Sequence, residues 1–111
     1  MKHITVKDVQ EFSDLFVITE RTELSKAVID VIESNLNNSS LIIKDIKVSI
    51  EKAKTDIVLS IPRDEFLTIL EEHLQLFEQI EDYEECARIV KLIKKIKAGA
   101  IVHSLQRSNN L

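Results

Sequence analysis

Residues 77–97 read FEQIEDYEECARIVKLIKKIK, and this stretch decides the C-terminal half of the fold. Acidic side chains dominate its first part, and lysines dominate its last part. The polar segment Glu81-Asp82-Tyr83 lies between the two parts and predicts a turn. We therefore predict that an acidic helix reverses direction there and returns as a basic helix. The two helices together would form a long antiparallel hairpin over residues 63–98.

Both helices of this predicted hairpin carry an apolar stripe at helical spacing. In the first helix, which begins after Pro62, the stripe comprises Phe66, Ile69, Leu70, His73, Leu74, Phe77 and Ile80. In the second helix it comprises Tyr83, Cys86, Ala87, Val90, Ile93 and Ile96. Gly99 is the only glycine of the chain and follows three closely spaced lysines, so it predicts the end of the helix. Residues 99–111 would then form a tail.

The N-terminal part, residues 1–40, predicts two more helices. Thr5 is a candidate N-cap for a helix over residues 6–17, with Asp8 near the positive end of the helix dipole. Thr22 is the candidate cap of a second helix. The apolar stripe of that helix comprises Leu24, Val28, Val31, Ile32 and Leu36. The polar cluster Asn37-Asn38-Ser39-Ser40 ends it.

A small β element follows over residues 41–61. The segment 41–50, LIIKDIKVSI, is rich in β-branched residues, and Ile42, Ile46, Val48 and Ile50 share one parity, with Lys44 as the exception. The segment 56–61, DIVLSI, alternates apolar and polar positions. These segments predict two strands joined by a polar connection over residues 51–55, although residues 40–54 also fit a helical period. The complete prediction is a single α+β domain over residues 1–111, predominantly helical. Because a lone two-stranded ribbon is marginal in water, a homodimer could complete the sheet.

Charge is distributed unevenly along the chain. Residues 1–62 have a net charge of −2, residues 63–85 of −8 and residues 86–111 of +6. The total of −4 argues against a general nucleic-acid binder, because phosphate contacts need a basic surface. The C-terminal half is nevertheless a charge dipole that any function must accommodate.

The residue types that carry out chemistry are few and scattered. His3, His73 and His103 lie far apart, outside the spacing of a metal site. Cys86 has no neighbouring histidine to act as a base, and a partly buried structural role is expected for His73. A phosphate-binding loop needs several glycines, and the chain has one. We therefore expect neither an enzyme nor a metal or cofactor site.

The sequence also favours one cellular compartment. A single cysteine excludes an internal disulfide and suits a reducing environment. The first twelve residues, MKHITVKDVQEF, lack the apolar core of a signal peptide. No apolar run approaches the roughly 20 residues that span a bilayer. We expect a cytoplasmic protein with no membrane span.

The hairpin sequence resembles the UVR motif, a helical hairpin of bacterial excision-repair subunits and some Clp-type chaperone systems. The residues that match in kind are Asp82, Tyr83, Glu84, Cys86, Ala87, Arg88, Ile93 and Lys94. The family tends to have Leu before its Arg and Asp after it, where this chain has Ala87 and Ile89. The resemblance covers residues 69–97 and implies a docking element that performs no chemistry. The small size and composition also resemble those of a phage accessory protein.

These observations predict a non-enzymatic adaptor or regulatory protein that binds a protein partner through the hairpin. The predicted partner-binding residues are Leu76, Glu78, Glu81, Asp82, Tyr83, Glu84, Arg88, Lys91 and Lys95. The carboxylates would attract basic groups of the partner, the cations would attract acidic groups, and Leu76 would be an exposed apolar contact.

Three alternatives use the same residues. The acidic and basic helices could simply neutralise each other within the chain, through exposed pairs worth about 0–1 kcal/mol each. Arg88, Lys91, Lys94 and Lys95 could form a basic face for nucleic acid. The chain could also be a structural, self-assembling subunit.

Overall fold

A mixed β-sheet and a C-terminal helical hairpin make up the fold. The computed structural model describes the backbone of residues 1–17 and 21–109, and the side chains of residues 1–17 and 21–99. In chain order the elements are β1 (Lys2–Val6), α1 (Val9–Asp14), α2 (Glu23–Ser34), β2 (Ile42–Ile50), β3 (Thr55–Pro62), a 3₁₀ turn (Arg63–Glu65), α3 (Phe66–Gln79) and α4 (Tyr83–Asn109). The chain divides into two compact units, Met1–Phe66 and Leu67–Leu111.

The sheet of the first unit has the strand order β1-β2-β3. β1 runs parallel to β2, and β2 runs antiparallel to β3. Parallel neighbours need a long crossover, which the segment containing α1 and α2 supplies. Both helices contact β1 and β2. The core consequently lies on that side of the sheet, where Val6, Ile46 and Val48 are fully buried.

Strand β1 was not predicted and replaces the start of the expected first helix. Ile4 and Val6 alternate with exposed residues and point into the core, so Thr5 lies within a strand and caps no helix. Helix α1 begins only at Val9, and its N-cap is Asp8, whose side chain accepts a hydrogen bond from the Glu11 amide over 2.9 Å. The prediction of a helix over residues 6–17 is therefore wrong in its bounds. The short β1 sequence gave too little signal, because its pairing partner lies about 40 residues further along the chain.

Helix α2 matches its prediction closely. Thr22 occupies the N-cap position, although its side chain makes no capping hydrogen bond. Leu24, Val31 and Ile32 are buried as expected, whereas Val28 and Leu36 are only half-buried. Just after the helix, the buried side-chain amide of Asn35 donates a hydrogen bond to the Val31 backbone carbonyl over 2.7 Å. The helix ends at Ser34, with Asn35 at its C-cap, so it stops before the polar cluster at residues 37–40 that was predicted to end it.

Strands β2 and β3 confirm the predicted pair and exclude the helical alternative for residues 40–54. The predicted inward parity holds for Ile46, Val48 and Ile50. It fails at Ile42, because a register shift between Ile43 and Ile46 turns Ile42 outward and Ile43 into the core. This irregularity explains why Lys44 broke the alternation in the sequence. The α+β class is thus confirmed, with a sheet of three strands where two were predicted.

The second unit contains the predicted helical hairpin, formed by α3 and α4. Its fully buried side chains are Leu70 and Phe77 on α3, with Ile89 and Leu92 on α4. Helix α4 does not stop at Gly99 but continues to Asn109, so both the predicted stop and the tail are corrected. A single glycine lowers helix stability by only about 1 kcal/mol relative to alanine, which is too little to end a helix. The predicted end of the basic helix also lacks a following proline.

Candidate docking surface on the helical hairpin

The reversal of the chain between α3 and α4 is built from backbone hydrogen bonds that close the end of α3. The Glu81 amide donates to the Glu78 carbonyl over 3.1 Å, and the Asp82 amide donates to the Phe77 carbonyl over 3.0 Å. Glu81 has a φ of 60°, in the left-handed region. This combination is a Schellman motif, which satisfies the last carbonyls of a helix. The turn predicted at residues 81–83 is therefore confirmed, and Glu81 occupies its left-handed position.

Asp82 also starts the second helix. Its carbonyl accepts the first helical hydrogen bond, from the Cys86 amide over 3.1 Å. Its side chain accepts from the Glu85 amide over 3.3 Å, which makes Asp82 the N-cap of α4. Because Glu84 and Glu85 lie in the first turn, their carboxylates also favour this end of the helix dipole.

Arg88 has a structural partner within the helix. Its guanidinium lies 3.6 Å from the Glu85 carboxylate, in a pair three residues apart. The Glu85 side chain is mostly buried, and its Oε2 atom makes no hydrogen bond within the described part of the chain. The ion pair with Arg88 is therefore the main contact that offsets the cost of burying this carboxylate. Arg88 is half-buried, as is Asp82. Both of these predicted partner-binding residues therefore make local contacts at the start of α4, Asp82 as its N-cap and Arg88 in the ion pair with Glu85.

The buried face of α4 differs from the predicted one. Ile89 and Leu92 are fully buried, and Cys86, Ile93 and Ile96 are half-buried around them. Tyr83, Ala87 and Val90, which were predicted to lie in this stripe, are exposed. The sequence of α4 contains two apolar stripes that are offset by about one residue. The side chains of both are apolar, so the sequence pattern does not indicate which stripe is buried. Packing selected the stripe with the larger aliphatic residues at its centre.

The stripe that packing left out lies on the surface of α4. Tyr83, Ala87 and Val90 are spaced four and three residues apart, and we call them the Tyr83–Val90 stripe. Tyr83 is 68% exposed and Val90 37% exposed. Lys91 and Lys94, both exposed, lie one helical turn beyond Ala87 and Val90. The surface therefore combines an aromatic ring and an aliphatic patch with adjoining positive charge.

The other predicted partner-binding residues fall into two groups. Tyr83, Glu78, Glu81, Glu84, Lys91 and Lys95 are exposed. Leu76 was predicted to be an exposed apolar contact, but it is half-buried. Ala87 and Val90 were missed as surface residues, because they had been assigned to the core. The signal that could have found them is the competing stripe through Ile89 and Leu92.

The two side chains considered for chemistry have structural environments. His73 is half-buried, and its Nδ1 lies 2.8 Å from the Ile69 carbonyl, so this nitrogen carries the proton and donates. Burial raises the pKa of the Cys86 thiol, and the nearby carboxylates of Glu78, Asp82 and Glu85 raise it further. The thiolate, which is the nucleophilic form, is thereby disfavoured.

Two further findings concern the whole described part of the chain. Among the side chains that the structure describes, those of residues 1–17 and 21–99, no group of three or more histidine, cysteine, aspartate or glutamate residues is arranged to hold a metal ion. Within residues 1–17 and 21–109, no helix has both the length and the apolar character needed to cross a membrane. Comparisons with protein-family models, curated proteins and solved structures find no match to this chain.

Proposed function

We propose that this chain is a non-enzymatic adaptor that binds a protein partner through its C-terminal hairpin. The observation that supports the proposal is the Tyr83–Val90 stripe. An exposed tyrosine beside an exposed valine offers apolar surface that a partner could bury, and buried tyrosines are common anchors of protein interfaces. The UVR-like sequence pattern is consistent with this role.

The charges around the stripe specify the partner's chemistry. Lys91 and Lys94 adjoin its C-terminal end, so the partner should present an apolar contact flanked by carboxylates. At the N-terminal end of the stripe, around the turn, Glu78, Glu81 and Glu84 are exposed and would attract a basic group. An amphipathic helix with a basic end and an acidic end, laid along α4, meets both requirements.

The experiment begins with site-specific photo-crosslinking in the source cells. A benzoyl-phenylalanine at position 83 should capture the partner, whereas the same probe at Phe16, an exposed aromatic residue of the first unit, should not. Lysates are treated with nuclease before analysis, and the captured protein is then purified for binding measurements. Capture from position 83 that disappears with nuclease would favour the nucleic-acid alternative, for which Lys91, Lys94 and Lys95 are all exposed.

Binding of the purified partner is then compared between two matched variants. Val90→Glu places a carboxylate in the stripe and should weaken binding at least about thirtyfold, the effect of losing an interface hot spot. Val9→Glu introduces the same change at an exposed valine of the first unit and should leave affinity unchanged. Equal affinities for Val90→Glu and the wild type would refute docking through the stripe.

A further inference from the structure

Strand β3 forms an edge of the sheet and lacks the devices that usually protect such an edge. Among the described strands it pairs with β2 alone, so one side of its backbone has no strand beside it. Exposed edges are normally protected by charges, prolines or bulges within the strand. In β3 the only charged residue is Asp56, Pro62 is the last residue, and the sheet's register irregularity lies in β2. Residues 57–61, IVLSI, are therefore an edge segment without charged side chains.

The side chains of β3 also leave its core-facing side incompletely covered. Ile57 and Leu59 lie opposite Val48 and Ile46, which are fully buried, yet both remain half-buried. On the other face, Val58 is 47% exposed. The opposite edge of the sheet, β1, is shorter and includes Lys2, which forms an ion pair with Asp30 at 3.1 Å. Of the two edges, β3 is the one suited to accept another strand.

We propose that β3 pairs antiparallel with β3 of a second copy of this chain, forming a continuous six-stranded sheet across a two-fold axis. A two-fold axis perpendicular to the sheet preserves the two faces, so the pairing must place a residue opposite itself. Pairing centred on Val58 places Ile57 opposite the second copy's Leu59 and Asp56 opposite its Ser60. Ile57 of each copy then packs beside Leu59 of the other, which covers these half-buried side chains, and no two like charges lie opposite each other.

The alternative register centred on Leu59 is less favourable. It would place Asp56 opposite Pro62, which has no backbone N–H to donate. In the Val58 register, Pro62 falls outside the paired residues 55–61, so every backbone amide of these residues that points away from β2 can donate to the second copy. The backbone of the edge specifies a strand as its occupant, and the self-complementary side chains specify this strand.

The first test measures association by sedimentation velocity over a concentration series. The wild type should show a monomer–dimer equilibrium. Val58→Lys and Val58→Glu each oppose two like charges at the axis and should each weaken the dimer at least about tenfold. An equimolar mixture of the two variants should restore it as a heterodimer. Thr5→Lys, an exposed change on the same face of β1, should leave the wild-type equilibrium unchanged.

Disulfide trapping checks the register without adding charge. In a Cys86→Ser background, Val58→Cys should form a covalent dimer on mild oxidation, because opposite residues of neighbouring strands lie about 4.5–5.5 Å apart. Ser60→Cys alone should not form one, since in this register it faces Asp56 of the second copy. A wild type that remains monomeric up to its solubility limit would overturn the proposal. A dimer that persists in the Val58→Lys variant would also overturn it. So would an equimolar mixture of Val58→Lys and Val58→Glu that does not associate.

Discussion

The Asp82 amide donates a hydrogen bond to the Phe77 carbonyl over 3.0 Å, and this bond joins the end of α3 to the start of α4. Phe77 is fully buried, whereas Asp82 caps the following helix with its side chain. One short segment thus supplies a core anchor, a helix C-terminus and a helix N-cap. The geometry of the hairpin, and with it the direction in which Tyr83 points, depends on this junction.

The left-handed backbone of Glu81 makes that position sensitive to substitution. Its φ of 60° is unfavourable for a residue with a Cβ, so Glu81→Gly should stabilise the protein by up to about 1 kcal/mol. Equilibrium urea denaturation measures the change. Glu84→Gly provides the matched control, because Glu84 lies in the first turn of α4 and the same change there should destabilise. A loss of stability at Glu81 would contradict the Schellman assignment.

The cap of α4 gives a second prediction. Asp82→Ala removes the side-chain oxygen that accepts the Glu85 amide and should lower the free energy of unfolding by about 1 kcal/mol. Asp82→Asn keeps an acceptor oxygen at the cap and should retain most of this stability. If both variants were as stable as the wild type in thermal unfolding, Asp82 would not function as the N-cap.

The observed core and surface of the hairpin predict different effects on stability for substitutions at two of its aromatic residues, Phe77 and Tyr83. Phe77→Ala should destabilise by about 3–5 kcal/mol, because it empties a fully buried site. Tyr83→Ala should change stability by less than about 0.5 kcal/mol, because that ring is exposed. Should Phe77→Ala fail to fold, Phe77→Leu should give a smaller, measurable loss. A large loss at Tyr83 would indicate that the stripe is structural after all.

Helix α4 continues through Gly99, where added side-chain volume meets no obstacle. A Cβ at this position would find no heavy atom within 4 Å, so Gly99→Ala should stabilise by up to about 1 kcal/mol. Ala98→Gly, on the preceding exposed position, should have the opposite effect. Helicity measured by circular dichroism should rise in the first variant and fall in the second. No change in either would argue against a continuous helix through this region.

The environment of Cys86 predicts the pH dependence of its alkylation. Burial and neighbouring carboxylates raise the pKa of the thiol, so the iodoacetamide rate should reach its half-maximum above the ordinary pH for cysteine. Glu78→Gln removes one of these charges and should shift the profile to lower pH. A cysteine placed at the exposed position 87, in a Cys86→Ser background, provides the reference. A Cys86 profile at or below this reference would contradict the raised pKa.

Local sequence determined the parts of this protein whose causes are local. Four features could be predicted: the acidic-to-basic transition, the turn at residues 81–83, α2 with its cap position at Thr22, and the β2–β3 pair. Each depends on side-chain periodicity or on turn chemistry within a few residues, and both can be read from the sequence. The exposure of Glu78, Glu81, Glu84, Lys91 and Lys95 follows equally from their charge.

Tertiary structure decided the rest. Strand β1 exists because β2 lies beside it, and nothing in five N-terminal residues specifies a partner about 40 positions away. On α4 the sequence offered two overlapping apolar stripes, and only packing selected Ile89 and Leu92 for burial, which left Tyr83 and Val90 outside. A helical pattern specifies that one face must be covered; the neighbouring surfaces determine which face it is.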